Sequence, residues 1–510
     1  MLNPATAAAP LAAACCDRWA DGSARTALVC VHPDGRVEDV SFDALHATSC
    51  RMAQVLVARG IAPRDRVAIL LPQGPEAVVA MLAAWRIGAI MVPLPRMLDA
   101  GAIAHRLDDA GAVALVTDDA GLAATAALRR HLPRLRLVLG TEGARRGVLS
   151  FWEEAGRAPP GPPDMPRHPG DPAVLLYTAA PVRGVLHAHR ALAGQLAAID
   201  HLHGGFPHEG DLVWTPMDWG WRAGLFDALL PALCHGVPVL AAAMPRFDAR
   251  RAVALMARHG VRNAVLPAAA LRVLHAADLP GPGAIGLRSL VTSGVAPDAG
   301  LAAWAEARLG VAPRHAHAIG ECNLVLAGGP GPLRPVPEHE VAVLGADGAP
   351  LPAGQAGRLV VRRAHEGAFL RYWKGAAPRG RWLPTGFAAS IAADGTVALP
   401  ADDLAALAAG NEFMGPEDVE HCLRRHPAVA LAAVVGPADA MAGEHATAII
   451  VPRTDASPGP ALAEELRDFM RHCLPGHRTP RRVAFAKALP GAPEGRGALG
   501  SAVGLGARRG

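Results

Sequence analysis

Lysine is nearly missing from this chain. Only Lys374 and Lys487 stand among 50 basic residues, so any chemistry that needs a primary ammonium has two candidates. Tyrosine is as scarce, with Tyr177 and Tyr372 alone, and aromatic residues make up 4% of the chain. There is no block of like charge: 50 basic and 46 acidic residues are interspersed for a net +4. An electrostatic footprint for nucleic acid is therefore absent. No CxxC pair occurs among the eight cysteines, which excludes a zinc ribbon and a thioredoxin motif. No long uninterrupted apolar run occurs either. The most apolar stretch, Ala77 to Pro95, is broken by Arg86 and Gly88, which predicts a buried helix then a buried strand rather than a membrane span. The first basic residue is Arg18, so the N-terminal run MLNPATAAAPLAAACC does not read as a secretory leader. Scattered cysteines without an export signal read as reduced core thiols of a cytoplasmic protein.

What is present is core-forming material. Of 510 residues, 51% are hydrophobic and 19% charged, which rules out disorder and low-complexity fibre. At ~150 residues per domain the length suits about three folding units. Apolar runs Val67–Leu71, Ile90–Val92, Val113–Thr117, Leu212–Thr215, Val237–Ala241, Asn263–Leu266 and Ser289–Thr292 alternate with amphipathic segments such as Glu76–Arg86. Strands apolar throughout, separated by helices, predict α/β layers with largely parallel sheets. From about Val341 the pattern changes to short strands with Asp-Gly turns: Val341–Leu344, Gly357–Arg362 and Thr396–Leu399, a small antiparallel β module. The Gly/Pro-rich stretches Ala158–Pro172 and Gly328–Pro337 read as loops, and Gly491–Gly510 as a mobile tail. A boundary near residue 400 divides a large unit, 1–400, from a small α+β unit, 401–510. The latter has helix Pro416–Arg425, strands Val429–Val435 and Ala446–Val451, and helix Ala461–Cys473.

Five ordered segments carry a resemblance: DRVAILLPQGPEAVVAMLAAWRIGAIMVPL from Asp65, GDLVWTPMDWGWRAGLFDALLPALCHGVPVL from Gly210, IGECNLVLAGG from Ile319, LRPVPEHEVAVL from Leu333 and GPEDVEHCLRRHPAVALAAVVG from Gly415. With these the chain resembles the AMP-forming adenylating enzymes, and among them the medium-chain acyl-CoA synthetases. The resemblance implies a large N-terminal domain of layered α/β subdomains with a small β module, plus a small mobile C-terminal domain. It implies ATP, Mg and CoA as cofactor and co-substrates, and a medium-chain or aromatic carboxylic acid as substrate. The acid would be activated to an acyl-adenylate with release of pyrophosphate, and CoA would then attack after the small domain rotates.

The positions that grip the nucleotide depart from the family. Its phosphate loop, roughly Thr-Ser-Gly-Thr-Thr-Gly-x-Pro-Lys-Gly, reads here Thr178, Ala179, Ala180, Pro181, Val182, Arg183, Gly184. This is three residues short and stripped of most hydroxyls. Proline removes an N–H, and Arg183 brings charge without a lysine's compact geometry. Either the loop is a weakened phosphate site or it is a tight turn. The Tyr-Gly-Gln-Thr-Glu segment aligns with His317, Ala318, Ile319, Gly320 and Glu321. Glu321 is thereby the candidate metal ligand and catalytic carboxylate, and His317 a candidate adenine contact. The adenine-framing turn begins at Gly294 and lacks its carboxylate. The Thr-Gly-Asp motif reads Thr385, Gly386, Phe387, so the ribose-gripping aspartate is gone. At the hinge the acidic pair Asp402 and Asp403 survives without the preceding arginine, and Asp402 reads as hinge or helix cap. Arg496 stands where the C-terminal catalytic lysine is implied.

On the acid side, WTPMDWGW sets Trp214, Trp219 and Trp221 close together. Trp219, Trp221 and Gly224 are the candidate substrate contacts implied by the resemblance. His187 and His189 are two apart, which on a helix would not share a face, so a metal pair is not expected. Two readings stand: an acid–CoA ligase with an impaired nucleotide site, and a pseudoenzyme on the same scaffold that binds acyl groups, CoA or a protein.

Overall fold

The computed structural model describes residues 9–163, 165, 167–178, 182–244, 247–277, 279, 285–293, 296–329, 332–337, 339–363, 367–399, 416–435, 447–453, 456–473, 480 and 482–486. Among them, strands and helices follow the alternation read from the sequence. One sheet has eight strands, in the order Arg371–Tyr372, Gly184–Ala188, Pro172–Tyr177, Ile90–Pro93, Arg66–Leu70, Ala114–Thr117, Leu137–Gly140, Leu149–Ser150. Its interior is parallel, and the edge nearest residue 184 is antiparallel. A nine-stranded sheet runs Arg334–Pro335, Asn323–Gly328, Arg314–Ile319, Ser289–Ser293, Asn263–Pro267, Val213–Trp214, Val239–Ala241, Thr26–Val31, Val37–Ser41. It too is parallel at the centre and antiparallel at both ends. Apolar runs buried on both faces require this arrangement, because helices must cover each side of a parallel sheet.

The stretch from Ala77 to Pro95 behaves as its pattern dictates. Pro75–Arg86 is a helix with proline in its first turn, where its missing N–H costs nothing. Ile90–Pro93 is a strand buried at every position. Trp85 at the helix end is 1% exposed and donates its indole N–H to the Ala173 carbonyl at 3.0 Å. Arg86 is equally buried, and its head reaches Asp17 and Ser49. Helix Ala299–Leu309 shows the usual end chemistry: Asp298 accepts from the Leu301 N–H at 2.8 Å, and Gly310 closes it at φ 81°, a left-handed value that favours glycine.

The small β module is a four-stranded antiparallel sheet, Val341–Leu344, Gly357–Arg362, Trp382–Ile391, Val397–Ala398. Its ten-residue third strand was not legible, because WLPTGFAASI lacks clean alternation. The loop read over Gly328–Pro337 contains the two-residue edge strand Arg334–Pro335. Further along, helices Pro416–Arg424 and Pro460–Cys473 accompany a three-stranded sheet, Val429–Val435, Thr447–Pro452, Arg482–Phe485, with its own apolar core around Leu423, Ile450 and Leu466. Residues 400–415 and the tail 491–510 lie outside the described residues. No described helix is long and apolar enough to cross a membrane.

Candidate functional site

The loop that should cradle phosphate joins strand Pro172–Tyr177 to its antiparallel neighbour Gly184–Ala188. Its ends are tied to each other. The Thr178 N–H donates to the Arg183 carbonyl at 3.0 Å, and the Arg183 N–H donates to Thr178 Oγ1 at 2.9 Å. The hydroxyl that the loop retains at Thr178 is therefore engaged in closing the turn. Residues 179–181 lie outside the described set. Gly184 is demanded by packing: a Cβ there would sit 2.6 Å from the Trp373 Cβ.

The turn carrying Glu321 stands against this loop. A Cβ on Gly320 would come within 3.4 Å of Thr178 Cγ2. His187, on the strand leaving the loop, holds the turn from below, with Nε2 2.8 Å from the Gly320 carbonyl. A carbonyl only accepts, so Nε2 carries the proton. The Phe369 N–H donates to the Glu321 carbonyl at 2.8 Å, and the Tyr372 hydroxyl donates to Glu321 Oε1 at 2.8 Å. Tyr372 reaches this place because Arg371–Tyr372 forms the sheet edge, with Tyr372 paired opposite Val185. Burial, then the Glu321 charge, push its phenol up to about 12. The Arg183 guanidinium lies 5.7 Å from the same ring centroid, at the outer limit of a cation–π contact. Next in sequence, the Trp373 indole N–H and the Lys374 ammonium bond Asp109, the first at its carbonyl (2.8 Å) and the second at its carboxylate (2.9 Å). The Tyr177 hydroxyl shares that carboxylate at 2.7 Å. Both tyrosines and one of the two lysines thus converge beside the loop. For Tyr372 and Lys374 rarity was the sequence's only signal, and it assigned them no role.

Two further nucleotide candidates, His317 and Thr385, are engaged by local partners. His317 is 4% exposed and packs edge-to-face on His315, centroids 4.5 Å apart, so its ring already has an aromatic partner. The Thr385 hydroxyl donates to the Leu359 carbonyl at 2.8 Å and accepts from the Phe387 N–H at 3.2 Å, both bonds internal to the small β module. Gly294, Asp402 and Arg496 lie outside the described residues. The helix premise for His187 and His189 is corrected. His187 is on a strand, and His189 opens a short 3-10 turn, with Nδ1 accepting from the Leu11 N–H at 3.2 Å.

Burial holds His187, His189 and His317 neutral, with pKa values lowered to about 4. In the unfolded chain each takes a proton near 6.5, so between about pH 6.5 and 4 the unfolded state binds more protons than the folded one. Stability is expected to fall as pH drops through that window, by up to about 1.4 kcal/mol per pH unit for each ring. Urea unfolding at pH 7 and pH 5 checks this. A midpoint unchanged between the two would refute it.

On the acid side, Trp219 and Trp221 are 1% and 8% exposed. They precede a π-helical turn, Ala223–Leu229. Gly224 serves close approach: a Cβ would meet the Asp218 carbonyl oxygen at 2.4 Å. The i to i+5 repeat of a π-helix sets Arg222 above Asp227, and the two form a paired ion bridge at 2.8 and 2.6 Å. Gln195 donates to Asp227 Oδ1 at 2.7 Å and to the Phe226 carbonyl at 2.6 Å.

Two places group side chains of metal-ligating type. Among the described residues, Cys16, Asp17 and His46 bring ligand atoms within 4.8 Å of one another. Arg86 Nη2 lies 2.5 Å from Asp17 Oδ1 and 3.3 Å from His46 Nδ1, so a guanidinium already supplies the cation. At Glu321, a magnesium ion needs a carboxylate oxygen together with phosphate oxygens. One oxygen accepts from Tyr372, Arg183 stands beside that phenol, and the loop closes on its own hydroxyl. A carboxylate that accepts one hydrogen bond keeps its second oxygen for a metal, so Glu321 fits a magnesium ion, whereas the Thr178 hydroxyl beside it is already engaged.

With this geometry, the similarity to known proteins is informative. The AMP-binding enzyme family matches residues 16–373, and the AMP-binding enzyme C-terminal domain matches residues 418–496. The chain is 25% identical over 472 residues to Acyl-coenzyme A synthetase ACSM5, mitochondrial, of Homo sapiens, covering 88% of this chain and 81% of that one. It is 26% identical over 500 residues to the 3-hydroxybenzoate–CoA/4-hydroxybenzoate–CoA ligase of Thauera aromatica, covering 91% of both. The crystal structure of the Brucella canis acyl-CoA synthetase superposes with a TM-score of 0.69 at 27% identity, over 97% of this chain and 95% of that one. These matches show that the chain belongs to the family of AMP-binding, adenylate-forming enzymes.

Proposed function

We propose that this protein is an AMP-forming acid–CoA ligase whose nucleotide site is impaired. Its acid would be of the medium-chain or aromatic class, given relatives that act as acyl-CoA and aromatic acid–CoA ligases. AMP-forming CoA ligases in general use ATP, Mg and CoA. Here ATP and CoA would be co-substrates, with the acid held near Trp219, Trp221 and the π-helical turn. The observation that carries the impairment is the phosphate loop, whose Thr178 hydroxyl and Arg183 N–H bond each other. Phe387, which has no side-chain acceptor, supports it from the ribose side. The same two observations favour a second reading, a scaffold that binds acyl groups, CoA or a protein without forming an adenylate.

We further propose a division at residues 400/401 into a large and a small unit, the small one mobile. A cytoplasmic location is proposed from seven free, buried thiols among the described residues. The deciding measurement is acid-dependent pyrophosphate release from ATP with hexanoate, octanoate and benzoate. Slow release that requires the acid is expected. Release at an ordinary rate, about 10 per second, would remove the impairment. None at all, with calorimetry showing no nucleotide binding, would leave only the scaffold.

A further inference from the structure

The segment that carries Trp219 and Trp221 is held from outside itself. Gln73 lies just past the C-terminal end of strand Arg66–Leu70 in the eight-stranded sheet, and its side chain reaches across to the nine-stranded one. Its Nε2 donates to the Thr215 carbonyl at 3.1 Å and to the Met217 carbonyl at 2.7 Å, while its Oε1 accepts from the Ala242 N–H at 3.2 Å. Thr215 and Ala242 directly follow the strands Val213–Trp214 and Val239–Ala241. One amide thus joins the C-terminal ends of three strands drawn from two sheets. A second tie comes at Asp218. Its Oδ2 accepts from the Arg96 N–H at 2.9 Å, just beyond strand Ile90–Pro93, and its Oδ1 accepts from the Gly220 N–H at 2.7 Å. Gly220 lies so near the exit of that strand that a Cβ would sit 2.6 Å from the Leu94 carbonyl oxygen.

We propose that Gln73 and Asp218 are positioning residues for the carboxylic acid, fixing the wall that Trp219 and Trp221 form. The proposal rests on the ligase reading and says what keeps the acid side of that site in shape. The clamp stands at C-terminal strand ends, where the crevice of an α/β fold takes its ligand. A site discriminates between acids only if its walls are held to within about 0.5 Å by their neighbours. Both side chains bond the main chain of the segment, so they act through it. The Trp221 N–H donates to the Asp218 carbonyl at 3.1 Å, and the Trp221 carbonyl accepts from the Leu225 N–H at 3.0 Å. The held segment therefore leads directly into the π-helical turn Ala223–Leu229, and the clamp sets where that turn begins.

Calorimetric titration with octanoate and with benzoate tests this, at a temperature where each variant is fully folded, so that stability by itself cannot move an affinity. Gln73→Glu and Gln73→Met are each expected to weaken the better-bound acid at least about fivefold. Glutamate keeps the shape of glutamine and methionine its bulk, but neither offers N–H groups to both carbonyls, so a role in filling space would leave the affinity unmoved. Asp298→Ala, which removes the cap of helix Ala299–Leu309, is expected to lower stability and leave acid binding unchanged. A smaller loss in either Gln73 variant, or no binding of either acid by the native chain, overturns the proposal. If the Gln73 variants do not fold, Asp218→Asn decides: it keeps one acceptor oxygen and is expected to weaken binding about threefold, and a change under about twofold overturns the clamp. The ligase reading is judged separately by pyrophosphate release. Release with unmoved acid affinities would sink this proposal and leave that reading standing, whereas weakened acid binding without any release would do the reverse.

Discussion

Rebuilding the phosphate loop to its full glycine- and hydroxyl-rich length between Thr178 and Gly184, together with Phe387→Asp, is expected to raise acid-dependent pyrophosphate release by on the order of 100-fold or more. Each lost donor set at a developing charge is worth about 10²–10³ in rate. The gains will not simply multiply, because loop and ribose contact act on one bound nucleotide. The native turn explains why both changes are needed. Its ends are bonded to each other through Thr178 Oγ1 and the Arg183 carbonyl, so a restored aspartate would orient a ribose whose phosphates still had no cradle. Phe387→Asp alone is accordingly expected to leave the rate unchanged. Pyrophosphate release by the single and combined variants measures this, and full rescue by the single change would show that the loop is not limiting.

Asp17→Ala is expected to destabilise the protein by about 3–5 kcal/mol, since it removes the carboxylate partner of a buried guanidinium. Arg86 is 1% exposed and bonds Asp17 through two nitrogens, at 2.5 and 3.2 Å. Only the Ser49 hydroxyl and the His46 ring would remain to it. The converse change is milder. Arg86→Met leaves an aspartate whose side chain is 30% exposed and can be hydrated, and it fills the space with apolar volume. The double variant should therefore be more stable than Asp17→Ala alone. Urea titration of the three variants decides it. A loss below about 1 kcal/mol for Asp17→Ala, the range of an exposed pair, would refute the buried-charge account.

These two cases mark what a linear reading can reach. Arg86 was visible as an interruption in an apolar run, but its partner lies 69 residues upstream and no periodicity links them. The low hydroxyl content of the loop and Phe387 after Thr385-Gly386 were legible, because residue type is read directly from the sequence. Tyr372 was legible only as a rare residue. Its meaning depends on a two-residue edge strand paired with Val185, too short to leave a pattern. The i, i+2 spacing of His187 and His189 was weighed only as it would stand on a helix, whereas the second strand of a hairpin claims the first of them.

By itself, then, the sequence determined the layered α/β order, the buried helix and strand around Arg86, the family resemblance, and which residue types stand where that resemblance implies a grip on the nucleotide. Those properties follow from residue chemistry and from periods of two and 3.6, both local. The tertiary structure alone decided that the Thr178 hydroxyl closes its own loop, that Glu321 carries a phenolic hydrogen bond, and that the Arg86 guanidinium sits against Asp17 and His46. Each of those depends on which distant segments the sheets bring side by side, and hydrogen bonds of 2.5–3 Å between them are set by packing, not by spacing along the chain.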